Sequence, residues 1–236
     1  MSMNELIKSN IDKIKKQIKE AEKNAGRKEG SVKLLAVSKF HPVEAVYDAI
    51  NAGQFDFGEN RVQEAFSKFP EIFQKFPNVN LHIIGQLQTN KVKKAVEIAT
   101  MIESVDRLEL VKEIEKQCAK IGKNIEILLE FHTGEESKSG YKTSESLEET
   151  LEFIAQGNAP HVIPKGFMTM APFTEDTELI RKSFSLMREI AERMQEKFKN
   201  FNLSELSMGM THDFEIAIQE GSTEVRVGTA IFGQRT

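Results

Sequence analysis

The sequence predicts an α/β protein, a single (β/α)8 TIM-type barrel spanning residues 1–236, on three observations. Short apolar runs of strand length alternate with longer amphipathic stretches along the chain. The runs number eight, the count that closes a parallel barrel. The length, 236 residues, is close to that of one such barrel. A doubly wound open sheet shares the alternation. No G-x-G-x-x-G follows the first run, however, and eight units fit closure better.

The elements follow in order. Leu6, Ile7, Ile11, Ile14 and Ile18 recur at spacings of three and four, which gives an amphipathic opening helix. Val32 to Ser38 is a continuous run of the kind expected for a strand buried on both faces. Similar runs follow at Phe55–Phe57, Leu81–Ile84, Met101–Ser104, Ile125–Phe131, Gly166–Thr169, Leu203–Met208 and Glu224–Val227. Helical periodicity fills the gaps, the longest stretch running from Thr174 to Lys199. No Gly/Pro/Ser linker, composition shift or fixed-period repeat divides the chain, so one domain is expected.

Composition narrows the function. An apolar fraction of 39% and a charged fraction of 29% suit a globular protein with a real core. A net charge of −4 argues against a nucleic-acid partner. The opening residues carry mixed charges with no apolar core of a signal peptide, and no run reaches membrane-spanning length. A cytoplasmic protein with no membrane partner is therefore expected. The single cysteine, Cys118, excludes an internal disulfide and lies in a helical run as a structural thiol. The five histidines lack metal-ligand spacing, and no metal site is expected.

Chemistry concentrates at strand ends, where barrels place their active groups. Lys39 closes the first strand after an apolar run; partial burial there would favour the neutral amine that imine formation needs. Ser207-Met208-Gly209-Met210 and Gly228-Thr229 end the seventh and eighth strands, the usual place of a phosphate cradle. Their hydroxyls and glycines allow close approach of an anion. Thr211 is expected to cap a helix starting there. Arg226 interrupts an apolar strand and needs an acceptor, either a pyridine nitrogen or an acidic neighbour. Asn60 either bonds a cofactor oxygen or caps the next helix, and Glu130 with His132 shares one face of the fifth strand. A rim lysine, a phosphate cradle and an arginine together point to pyridoxal 5'-phosphate (PLP) held as a Schiff base.

An ordered series of motifs resembles the pyridoxal phosphate homeostasis protein (YggS/PROSC) family along nearly the whole chain. The motifs are A-V-S-K at Ala36–Lys39, F-G-E-N at Phe57–Asn60 and H-I-I-G-Q-L-Q-T-N-K at His82–Lys91. E-S-K-S-G at Glu136–Gly140, S-M-G-M at Ser207–Met210 and V-R-V-G-T-A-I-F-G at Val225–Gly233 complete it. The resemblance implies a barrel like the N-terminal domain of alanine racemase. It makes Lys39 the Schiff-base lysine, with Ser207, Gly228 and Thr229 on the phosphate. Arg226 would meet the pyridine nitrogen, Asn60 would lie near the ring and Met208 would pack beside it. The chain departs from the family's common Gln-x-Asn at Glu130-Phe131-His132, and has Thr211 where Ser is usual.

The expectation is a PLP carrier of intracellular PLP homeostasis that stores, buffers or delivers the cofactor with little or no turnover. PLP-dependent apoenzymes are the expected acceptors. An arginine at the pyridine nitrogen leaves the ring a poor electron sink. The alternative is a PLP-dependent amino-acid racemase with Lys39 as one base and an unidentified second acid. Tyr47 reads as helical, and Tyr141 follows the Ser137–Gly140 loop, with nothing in the sequence demanding that it reach the barrel mouth. A monomer is expected, since the second domain that makes racemases dimeric is not seen in this sequence. Lys138 is either a second cofactor contact or a regulatory loop lysine.

Overall fold

The computed structural model describes residues 2–134 and 139–234. Its strands are β1 (Lys33–Val37), β2 (Asp56–Glu59), β3 (Asn80–Ile83) and β4 (Met101–Val105) in the first half. The second half adds β5 (Ile125–Glu130), β6 (Val162–Met168), β7 (Glu205–Ser207) and β8 (Glu224–Val227). All pairings are parallel and follow chain order. The barrel closes where β8 meets β1, pairing Leu35 with Arg226 and Ala36 with Val227. The predicted α/β barrel is the observed fold.

The helices are α1 (Met3–Asn24), α2 (Val43–Asn51), α3 (Val62–Lys75), α4 (Val92–Ile98) and α5 (Leu108–Ile121). After them come α6 (Ser144–Ala155), α7 (Thr177–Lys197), α8 (Phe214–Gln219) and α9 (Thr229–Phe232). The opening helix forms as its isoleucine spacing predicts. Ser2 and Glu5 make a reciprocal capping box, and Ile7, Ile11, Ile14 and Ile18 are buried. It packs on α2, α8 and α9, the helices that flank the β8–β1 seam. Glu22 near its end is buried yet satisfied, accepting from Val32 N at 2.8 Å and Gly30 N at 3.0 Å. Those bonds fix the entry into β1.

Three of the boundaries that differ from expectation have a local cause. β6 begins at Val162 rather than Gly166, because Pro164 and Lys165 break the apolar pattern. Its register against β5 shifts beside Pro164, which has no N–H for the ladder. α7 starts at Thr177, where Asp176 accepts from the N–H groups of Glu178 and Leu179. The helix expected from Thr211 begins only at Phe214. Asp213 holds the cap position and turns its Oδ1 back to accept the Met210 N–H at 2.5 Å. Cys118 is buried in α5, and burial pushes its thiol up to about 11, as suits an inert core residue.

Strand alternation makes two compartments. Outward residues such as Leu34, Phe57, Leu81 and Val225 join the helices in the main core. Met101, Leu128 and Met168 form a separate cluster inside the barrel, with Met170 packed against it. No described helix is long and apolar enough to cross a membrane.

Candidate functional site

The C-terminal ends of the strands open into a cavity of about 430 Å³. Val37, Ile84, Glu130 and Arg226 line it from the barrel, while Lys39, Asn60, Gly228 and Thr229 line it from the strand-end turns. The β7–α8 turn contributes Met210, Thr211, His212 and Asp213. Five of the seven residues expected at the site thus meet in one cavity: Lys39, Asn60, Arg226, Gly228 and Thr229. Asn60 does not cap α3, whose cap position is Arg61. Gly85 explains the placement of Asn60, because a Cβ there would lie 2.5 Å from the Asn60 carbonyl oxygen.

Ser207 and Met208, also expected at the ligand, are not among the residues that line the cavity. Both are fully buried. Met208 packs in the main core, and Ser207 points into the barrel one layer below the rim. Gly209 makes the turn that follows, at φ 95° and pressed against α8, where a Cβ would lie 2.6 Å from Ala217 Cβ. The hydroxyl this loop brings to the cavity belongs to Thr211. His132 lies past the end of β5 and is not in the cavity wall, whereas Glu130 is. Tyr141 is buried, with its hydroxyl 2.9 Å from Thr150 Oγ1, and does not reach the mouth. Lys138 and part of the Glu136–Gly140 motif lie outside the described residues.

Ser207 instead braces Arg226. The Arg226 guanidinium donates to Ser207 Oγ at 2.7 Å and to the Thr169 carbonyl at 2.8 Å. Ser207 Oγ also lies 2.6 Å from Glu103 Oε2 and 3.1 Å from Glu224 Oε1. A hydroxyl has one proton to give and here accepts from Arg226, so it can donate to only one carboxylate. The shorter contact is the one to Glu103, which leaves the longer one to Glu224 without a share of that proton. Electrostatics agrees. Burial is the largest influence on Glu224 and, with the Glu103 charge, pushes it up to about 8. Burial also works against Glu103, but the bond and charge of His82, with Arg226 and Ser207, hold that carboxyl below its ordinary value. His82 Nδ1 is 2.6 Å from Glu103 Oε1. Burial alone would lower the imidazolium, yet the Glu103 bond and the charges of Glu224, Glu103 and Asp56 raise it to about 9. Burial and mutual charge thus favour a protonated His82 beside an ionised Glu103, and a protonated Glu224, next to the Arg226 guanidinium.

A second lattice lies behind Lys39. The Lys68 ammonium on α3 donates to the Ser38 carbonyl at 3.1 Å, to Glu59 Oε1 at 3.0 Å and to Glu64 Oε1 at 2.6 Å. Ser38 Oγ donates to the same Glu59 oxygen at 2.8 Å, and Phe40 N donates to Glu64 Oε1 at 2.5 Å. Both residues flanking Lys39 are thus tied to one ammonium. Phe40 adopts φ 66°, a conformation costly for a bulky side chain, with Arg61 stacked 5.3 Å over its ring. The lattice holds this turn open.

Sequence reasoning missed His82, Glu103, Glu224 and Lys68. The first three carried a usable signal: ionisable residues at inward positions of apolar strands, which folding tolerates only when they are paired. His82, Glu103 and Glu224 also converge closely enough to be metal-ligand candidates. Their mutual hydrogen bonds and proton count already satisfy them. Lys68 carried no such signal, since an isolated lysine on a helix reads as surface.

A family model for the alanine racemase N-terminal domain matches residues 9–236. The pyridoxal phosphate homeostasis protein of Aquifex aeolicus is 39% identical over 225 residues, covering 95% of this chain and 96% of that protein. The protein of the same name from Pasteurella multocida is 38% identical over 230 residues, 97% of each. Among solved structures, a Bifidobacterium adolescentis protein superposes with a TM-score of 0.91 at 34% identity, covering 98% of this chain and 96% of that one. PipY of Synechococcus elongatus, solved with PLP bound, gives 0.84 at 33% identity, covering 96% and 100%. An alanine racemase of Clostridium difficile gives 0.72 at 14% identity over 98% of this chain and 56% of the racemase, a likeness of fold. By near full-length similarity to its curated relatives, the chain belongs to the pyridoxal phosphate homeostasis protein family.

Proposed function

We propose that this chain binds PLP in the cavity at the C-terminal end of its barrel and serves intracellular PLP homeostasis by storing, buffering or delivering the cofactor. The observation that carries this reading is the meeting of Lys39, Arg226, Thr211 and Thr229 in one cavity. The donor set fits the group. An amine faces the space an aldehyde needs, hydroxyls and a glycine turn edge the rim for a phosphate, and a braced guanidinium lies on the floor for an aromatic nitrogen. Glu130 Oε2 adds to the cavity wall a buried polar atom that has no partner among the described residues. PLP would supply an electrophilic aldehyde carbon there when bound, and Lys39 is the lining residue whose amine would hold it.

The chain's own residues divide the work. Lys39 would attach the cofactor, the Lys68 lattice fixes its turn, and Gly228, Thr229 and Thr211 would position the phosphate. Arg226, held by Ser207 and Thr169, has only protons to donate and would disfavour protonation of a ring nitrogen placed beside it. That weakens carbanion chemistry and suits holding over turnover. The reading treats residues 1–236 as one barrel domain, working as a monomer in the cytoplasm, with PLP-dependent apoenzymes as acceptors. PLP-loaded protein mixed with an apoenzyme that needs PLP tests it: activation of the apoenzyme with loss of the carrier's bound-cofactor absorbance is expected. Stable loading with no transfer to any acceptor would remove delivery, and no loading at all would remove the whole reading.

A further inference from the structure

Glu130 is 2% exposed and lines the cavity from the end of β5. Its Oε1 accepts the Ser139 hydroxyl at 2.8 Å, and its Oε2 has no hydrogen-bond partner among the described residues. A buried carboxyl oxygen left without a partner is costly, and in a ligand cavity the partner is expected to come from the ligand. The terminal torsion of glutamate is soft, so Oε2 can turn toward a bound molecule with little strain. We infer that Glu130 is a ligand-contacting acid: it keeps a proton on Oε2 and donates it to an acceptor atom on the ring of the bound pyridoxal phosphate-type ligand. This rests on the proposed cofactor reading and adds a proton linkage to it.

The proton's place follows from the partners. Ser139 donates to Oε1, so an acid proton belongs on the other oxygen. The neutral form is favoured first by burial and then by the Asp106 charge beyond β4, against the Ser139 bond and the Arg226 charge on β8. Lys39, His212 and Asp213 are the other ionisable groups lining the same cavity. The ligand is itself anionic through its phosphate. An ionised carboxylate in so small a cavity would add like charge and lose the donor together. Binding should therefore weaken as Glu130 ionises.

The probe is 4′-deoxypyridoxine 5′-phosphate, which has a methyl group in place of the aldehyde and cannot bond covalently to Lys39. Its affinity is measured calorimetrically across the whole pH range in which the proteins stay folded. The full chain is compared with Glu130→Gln, a near-isosteric permanent donor, and with Glu130→Met, which donates nothing. Glu224 titrates in all three proteins and cancels in the comparison. The wild type should match Glu130→Gln at the acidic end and bind about tenfold more weakly than it at the alkaline end. Glu130→Met should be weak throughout. A wild-type to Glu130→Gln ratio constant with pH, or one that rises toward alkaline pH, overturns the inference while leaving the cofactor reading intact. Failure of all three proteins to bind the probe and PLP overturns both.

Discussion

The Lys68 ammonium donates to the carbonyl of Ser38 at 3.1 Å, and Ser38 immediately precedes Lys39. One buried cation on α3 therefore sets the backbone from which the attaching lysine projects. Replacing it with Met leaves Glu59 and Glu64 without their partner, a loss of about 3 kcal/mol for a buried pair broken on one side. Lys68→Met is expected to lower Tm and to slow PLP capture on Lys39 about tenfold. Adding Phe40→Gly removes the penalty of the φ 66° turn and should recover part of the capture rate. Stopped-flow absorbance reads the rates. A double variant no faster than Lys68→Met contradicts the link.

The interior acid pair makes stability pH-dependent. His82 keeps its proton in the folded protein up to about 9, against about 6.5 when unfolded. The stability it contributes is complete below the unfolded value and is lost as pH rises through about 9. Glu224 acts the same way: it stays neutral when folded up to about 8 but ionises near 4.3 when unfolded, so its burial costs more as pH climbs between them. Glu103 has the opposite sign, and its contribution is lost as pH falls below the ordinary carboxylate range. Glu224→Gln should therefore melt several degrees above wild type near pH 9 and show little gain near pH 5, since each kcal/mol is about 2–4 °C in a chain of this size. Parallel melting curves for the two proteins across that range count against the assignment.

Ser207 and Thr229 separate bracing from phosphate contact. Ser207→Ala removes a hydroxyl that Arg226, Glu103 and Glu224 share, at a cost of about 1–3 kcal/mol. It should lower Tm yet leave the rim hydroxyls in place. Thr229→Val should keep Tm and weaken binding of 4′-deoxypyridoxine 5′-phosphate about tenfold. If Ser207→Ala instead retains Tm and loses the probe, Ser207 is a phosphate contact after all.

Gly85 is a packing requirement for the site. Its added methyl group would lie 2.8 Å from Asn60 Cα and closer still to the carbonyl, so one backbone must retreat. Gly85→Ala should cost about 1–3 kcal/mol of stability and displace Asn60 from the cavity wall. A thermal melt and a crystal structure of the variant check both effects, and an unmoved Asn60 at wild-type stability contradicts the requirement.

The barrel was legible because parallel strands buried on both faces leave continuous apolar runs, and eight such runs leave few topologies. The places of Lys39, Asn60, Gly228 and Thr229 around the cavity were legible because these residues follow strand ends, and that of Arg226 because a cation interrupts an apolar strand. Ser207 stands off the cavity wall for a local reason. A serine beside Met-Gly-Met looks like a phosphate loop, but its register against Glu224 sets it in the barrel interior, and the chain needs four more residues to reach Thr211 at the rim. The Lys68–Ser38 contact joins residues 30 positions apart through a helix face that reads as solvated. Such a contact becomes visible only once α3 is docked on the barrel.

Lys39 as the point of cofactor attachment is tested most directly by incubating the protein with PLP, reducing with borohydride and mapping the peptides by mass. A single reduced pyridoxyl group on Lys39, absent in Lys39→Ala, is the expected result. A stoichiometric adduct on another lysine, or none in the presence of excess PLP, contradicts it.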